Sequence, residues 1–166
     1  IIGATSPGVG ANSAIAGGGI FIDSKCTFEM NGGTVGYNNA TRHEGGGIFL
    51  FGNATISAGS IIGNRTATTF DWGGGGIFVN NDVTLTFKST GTGSGTGTAT
   101  VRDNTANGLG GGVSGCPHAY ISIGDDTQDS NTGFGSISNG FAIYNNTANK
   151  SQSGYPTNPR LRTNDN

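Results

Sequence analysis

The stretch GGGIF stands at residues 17–21, 45–49 and 74–78, and a relative, GGGVS, at 110–114. Glycine loses more conformational freedom on ordering than any other residue, so a recurring triplet calls for a geometric reason. Starts at 17, 45, 74 and 110 space the copies 28, 29 and 36 residues apart. Self-similarity at about 20–50 residues is the mark of a repeat architecture, in which one unit buries its apolar face only against the next.

Two further elements travel with the triplet. The residues that follow it alternate: Ile20 and Ile22, Ile48 and Leu50, and Ile77 and Val79 flank a central Phe. Period two puts neighbours on opposite faces of a strand. With the aliphatic pairs inward, Phe21, Phe49 and Phe78 form an outer column, continued by Ser114 while Val113 keeps the inward place. Nine residues after each triplet begins comes a second alternation: Cys26-Thr27-Phe28-Glu29-Met30, Ala54-Thr55-Ile56-Ser57-Ala58, Val83-Thr84-Leu85-Thr86-Phe87 and Ala119-Tyr120-Ile121-Ser122-Ile123. A third signal is an aliphatic residue, two variable ones and asparagine: Val9 to Asn12, Val35 to Asn38, Ile61 to Asn64, Val101 to Asn104 and Ile143 to Asn146. Asparagine tolerates left-handed backbone, and its amide both donates and accepts. Stacked at one corner of successive coils, Asn12, Asn38, Asn64, Asn104 and Asn146 would form a hydrogen-bonded ladder with rungs about 4.8 Å apart.

Three short strand signals per repeat, separated by turns, predict an all-β fold: a right-handed parallel β-helix of about four coils with essentially no helix. A β-sandwich would instead need hairpin signals. Residues 1–150 form one β-helix domain and 151–166 an irregular tail. Insertions near 88–100 and 124–141 fall at the same corner of successive coils, and in solenoids the face that gathers insertions is often the binding one.

The triplet-plus-aliphatic and aliphatic-x-x-Asn-x-Thr/Ala elements, across roughly residues 9–150, resemble the GGA[ILV] and FxxN repeats of polymorphic outer-membrane protein passengers. More widely they resemble right-handed β-helix repeats of bacterial and archaeal adhesin-like surface proteins. Here Gly stands in place of the Ala, and Val or Ile in place of the Phe. The resemblance implies a secreted or surface-displayed solenoid serving adhesion or surface structure, and it supplies no catalytic residues.

Composition agrees with a packed β-fold. Gly (33), Thr (21), Asn (18) and Ser (14) dominate, yet Ile, Val and nine Phe recur in register, unlike a disordered linker. A charged fraction of 11% and a formal net charge of -2 give no case for nucleic acid as a partner. No apolar run approaches the roughly 20 residues of a transmembrane segment, and no basic n-region with an apolar run reads as a secretion signal. The chain starts mid-repeat and its tail is no recognisable cap, so it is expected either to be a piece of a longer repeat protein or to self-associate by head-to-tail stacking, at the cell surface or outside the cell.

Candidate binding residues are the outer column Phe21, Phe49 and Phe78, since aromatic faces stack on glycans, and Asp125, Asp126 and Phe134 in the second insertion. The alternative is a carbohydrate-active β-helix, a lyase or glycosidase, for which Asp125-Asp126 with Asp129 is the nearest feature. It lacks the accompanying motifs, and no catalytic residue, metal or cofactor is assigned. His43 and His118 read as turn histidines. Cys26 reads as a buried member of the column Ala54, Val83 and Ala119, too far from Cys116 for a disulfide. A minor alternative, ice binding, rests on an outward column Thr27, Thr55 and Thr84, beside a broken one of Glu29, Ser57, Thr86 and Ser122. Sequons at Asn39, Asn53, Asn64, Asn145 and Asn149 are about as many as composition alone provides.

Overall fold

In the computed structural model, residues 1–7, 10–68, 72–88, 99–123 and 141–149 are described, and among them there is no helix. Among these residues, sixteen strands pair only in parallel and stack into three sheets. The first sheet holds β1 (Ile2–Gly3), β4 (Phe28–Gly36), β7 (Ala54–Ile62), β10 (Thr84–Phe87), β11 (Ala99–Arg102), β14 (Tyr120–Ile123) and β15 (Phe141–Tyr144). The second holds β2 (Ser13–Ala14), β5 (Asn39–Ala40), β8 (Arg65–Thr66), β12 (Thr105–Ala106) and β16 (Thr147–Ala148), and the third β3 (Ile20–Ile22), β6 (Ile48–Leu50), β9 (Ile77–Val79) and β13 (Val113–Gly115). Four successive coils, preceded by the partial coil of β1 and β2, make a parallel β-helix.

Each wall sends one face into a shared core. Ile48, Leu50, Ile77, Val79, Leu85 and Val101 are 0% exposed, and Met30, Val35, Ile56, Ile61 and Phe87 pack with them. Full burial of one such side chain stabilises by about 1.5–3 kcal/mol, so columns of them carry the fold.

Three details differ from the sequence reading. The strand before each asparagine is not a separate wall: in the first two coils it continues the preceding alternation as the single strands β4 and β7. The third wall is the two-residue strand after the asparagine, too short to show a period. The second coil is also shifted by two residues, since Phe28 pairs with Ala54 and Leu85 with Ala54. A two-residue slip keeps every side chain on its face, so alternation alone could not detect it. With the correct register, Met30 to Val35 and Ile56 to Ile61 span equal lengths: the pairing shifts at Asn31 and returns to register at Thr34.

The asparagines recur once in every coil for a physical reason. Asn64 Oδ1 accepts from both the backbone N–H and Nδ2 of Asn38, each at 2.9 Å. Asn104 Oδ1 accepts the equivalent pair from Asn64 at 2.9 and 3.0 Å, and Asn146 Oδ1 the pair from Asn104 at 3.0 Å. The second Nδ2 proton of Asn64 goes to Val35 O, and that of Asn104 to Ile61 O, both at 2.9 Å. Asn38, Asn64 and Asn104 are 0% exposed, so their polar atoms are satisfied without water. Asn12 is exposed and joins only through its backbone N–H, 3.4 Å from Asn38 Oδ1. Left-handed backbone falls on the residue before each ladder amide, at Tyr37, Gly63, Asp103 and Asn145 (φ 54–64°), rather than on the asparagine itself.

Each triplet fits against this ladder. Its first glycine is left-handed, at φ 69° for Gly45 and 70° for Gly74. A methyl on the second, Gly46, would lie 2.3 Å from Gly75 O and 2.4 Å from Arg65 O. A methyl on the third, Gly47, would lie 2.7 Å from Gly76 O and 2.9 Å from Nδ2 of Asn64, the asparagine that ends the same coil. Gly19 with Asn38, Gly76 with Asn104 and Gly112 with Asn146 repeat the contact.

Asn64→Ala strands the Asn38 donors and the Val35 carbonyl in a dry interior, and is expected to cost about 3–5 kcal/mol in denaturant unfolding. Asn12→Ala, at an exposed position, is expected to cost less than about 0.5 kcal/mol.

Candidate functional site

On the outer side of the third sheet, register stacks Phe21 on Phe49 and Phe49 on Phe78. Ring centroids lie 5.3 Å apart for Phe21 and Phe49, inclined by 15°, and 5.0 Å apart for Phe49 and Phe78, inclined by 39°. The column points away from the core, as the alternation predicts. It is not an open row of rings, however: Phe21 is 51% exposed, whereas Phe49 is 6% and Phe78 3%. Phe49 and Phe78 therefore present no free face to a glycan.

A fourth ring completes the cluster. Phe51 follows β6 directly, is 41% exposed, and lies 5.1 Å from Phe49 and 5.8 Å from Phe21. It sits two residues beyond Phe49 and so shares its face, outside the repeated GGGIF motif and present in one coil alone among the four. Aromatic pairs at such separations add about 0.5–1.5 kcal/mol beyond their burial. Phe21 and Phe51 are the accessible edge of an apolar patch backed by two buried rings.

Beside the rings, Phe51, Asn80 and Cys116 hold equivalent places: their N–H groups donate to Ile22, Leu50 and Val79 carbonyls at 2.9, 3.0 and 3.0 Å. The Cys116 thiol donates to Asn80 Oδ1 at 3.4 Å. Burial pushes its pKa up, helped by the charge of Glu44 and opposed by a backbone hydrogen bond from Asn81, so the thiol stays protonated. Cys26 lies in a corner turn, its N–H on Asp23 O at 2.9 Å, in line with Val83 and Ala119, whose N–H groups close the same turn; it is exposed rather than buried as expected, and Ala54 leaves the column. Both cysteines are free.

Glu44, at 8% exposure, lies 3.9 Å from Nδ1 of His43, which stands in the turn before the triplet. His118 occupies an exposed turn and contributes its carbonyl to Asp82 N at 3.2 Å. The expected threonine column does not form: Thr55 pairs with Glu29 and Thr86, Thr84 pairs with Tyr120, and Thr27 precedes β4. Asp125, Asp126, Asp129 and Phe134, with residues 89–98 and 124–140 of the two insertions and the 151–166 tail, lie outside the described residues.

No protein-family model, curated protein or solved structure matches this chain.

Phe49→Ala opens a cavity between three rings and is expected to destabilise by about 3–5 kcal/mol in thermal or denaturant unfolding. Phe21→Ala, half-exposed at the column's end, is expected to cost about 1 kcal/mol or less.

Proposed function

We propose that the chain is part of a non-enzymatic extracellular or cell-surface solenoid, structural or adhesive, whose end coils pack on further coils of the same cross-section. The observation that carries this reading is the contrast between equivalent positions in successive coils. Ile48, Leu50, Ile77 and Val79 are fully buried, while Ile20 and Ile22, in the same columns one coil earlier, are half-buried and Phe21 is 51% exposed. Ile1 and Ile2 add 75% and 41% exposed apolar side chains at that end. One coil's worth of apolar surface and open strand edge is thus presented in the geometry another coil would cover. Because each coil packs on its neighbour through an unlike face, such contacts run head to tail and extend into a fibre.

Phe51, 41% exposed in the second coil, supports the adhesive side of the reading, as an aromatic edge suited to stacking on a sugar ring. The test is sedimentation and negative-stain microscopy of the purified chain over a wide concentration range. Association into elongated particles, weakened by Ile2→Asp, is the expected result. A monodisperse monomer at every concentration contradicts the stacking.

A further inference from the structure

Five sequons are scattered over the coils, and the structure separates them sharply. Asn53 and Asn145 are exposed, and Asn149 is exposed with its Nδ2 on Asn107 Oδ1 at 2.9 Å. Asn39 is half-buried, its Oδ1 sealed from solvent. Asn64, of the sequon Asn64-Arg65-Thr66, is the central rung of the ladder and 0% exposed.

An N-glycan on Asn64 is incompatible with this fold on two counts. Transfer forms a bond from Nδ2 to the anomeric carbon of the sugar and breaks that carbon's bond to the pyrophosphate of a lipid-linked oligosaccharide donor. The pyrophosphate leaves with the electron pair, and one amide proton is lost to a base. Nδ2 then keeps a single proton, whereas the folded chain uses two, to Asn104 Oδ1 at 3.0 Å and Val35 O at 2.9 Å. There is also no volume: a single methyl on Gly47 would already lie 2.9 Å from this nitrogen. A sugar ring is many times larger. The acceptor hydroxyl of the sequon is committed as well, since Thr66 is 1% exposed and its Oγ1 donates to His43 O.

We propose that Asn64 is a forbidden modification site: N-glycan transfer to it diverts the chain from folding, so the protein matures along a route in which Asn64 meets no N-glycan transferase. Surface display remains open to it, by an export route without that modification or after folding has sealed the ladder. Transfer during synthesis reaches Asn64 while the chain is unfolded, before the ladder can protect it. The constraint does not extend to Asn53 and Asn145, whose exposed amides leave room for a glycan.

The experiment expresses the chain with a cleavable secretion signal in a eukaryotic cell that transfers N-glycans, beside Thr66→Val, which removes only this sequon and keeps the side chain's shape. Both are also made in a bacterial cytoplasm that transfers none. In the cytoplasm both fold, with the wild type at least as stable, because Thr66→Val loses a buried hydrogen bond. In the secretory pathway the order reverses: folded, protease-resistant Thr66→Val exceeds wild type several-fold, and Asn64 glycan is confined to retained, protease-sensitive material. Blocking glycan transfer with an inhibitor raises the wild-type yield, an arm that carries the test should Thr66→Val fold poorly everywhere. Folded wild type bearing a glycan at Asn64 overturns the proposal. So does a wild-type yield unaffected by the inhibitor, or equal to that of a well-folded Thr66→Val in the glycosylating cell.

Discussion

Within each coil, the third glycine of the triplet lies against the amide of the asparagine that closes that coil, and the rest of the structure is arranged around this contact. Nδ2 of Asn38, Asn64, Asn104 and Asn146 lies 2.7–3.0 Å from where a glycine Cβ would be. The amide can sit there, inside the wall and hydrogen-bonded to the coils on either side, only because the facing residue has no side chain. The second glycine meets the backbone of the strand after the asparagine, so the chain crosses the corner at a distance no other residue permits. The entropy lost in ordering three glycines is offset by buried amides with satisfied bonds. Glycine triplet and asparagine are therefore one device, read from two places in the sequence.

The device explains how coils of unequal length remain in register. The third and fourth coils carry insertions between β10 and β11 and between β14 and β15, yet Val101 still pairs with Ile61 and Ile143, and Asn104 still joins Asn64 to Asn146. Length is absorbed on the first wall, while the corner is held by hydrogen bonds whose direction repeats. Asn64 and Asn104 each accept from the asparagine of the preceding coil, donate forward to the Oδ1 of the next, and donate back to a carbonyl one coil earlier. The outer rings Phe21, Phe49 and Phe78 follow passively from that register, and their stacking stiffens the third wall rather than laying out a row of binding faces.

Much of this was legible in the sequence. Triplet spacing and two alternations suffice for the class of fold, the inward aliphatic columns and the outward direction of the phenylalanines. Other features were hidden for physical reasons. A two-residue slip in the second coil leaves the pattern of faces intact, so alternation puts Ala54 and Thr55 in the wrong columns, whereas Cys26 stays in line with Val83 and Ala119 but is exposed. The strand after the asparagine has two residues and no period. Exposure of the phenylalanines depends on what packs beside them: Phe51 and the neighbouring rings bury Phe49, and no local pattern reports that. The left-handed position belongs to Tyr37, Gly63, Asp103 and Asn145, residues of four types that share a backbone conformation rather than a chemistry.

The coupling between glycine and asparagine can be measured directly at Gly112 and Asn146, where all three atoms nearest a methyl on Gly112 belong to the Asn146 side chain, at 2.8, 2.9 and 3.3 Å. A double-mutant cycle of Gly112→Ala and Asn146→Ala, read by denaturant unfolding, isolates it. The account predicts that the pair of changes costs about 1 kcal/mol or more less than the sum of the single ones, because removing the amide makes room for the methyl. Additivity within about 0.5 kcal/mol would contradict it, leaving triplet and ladder as independent features of the same corner.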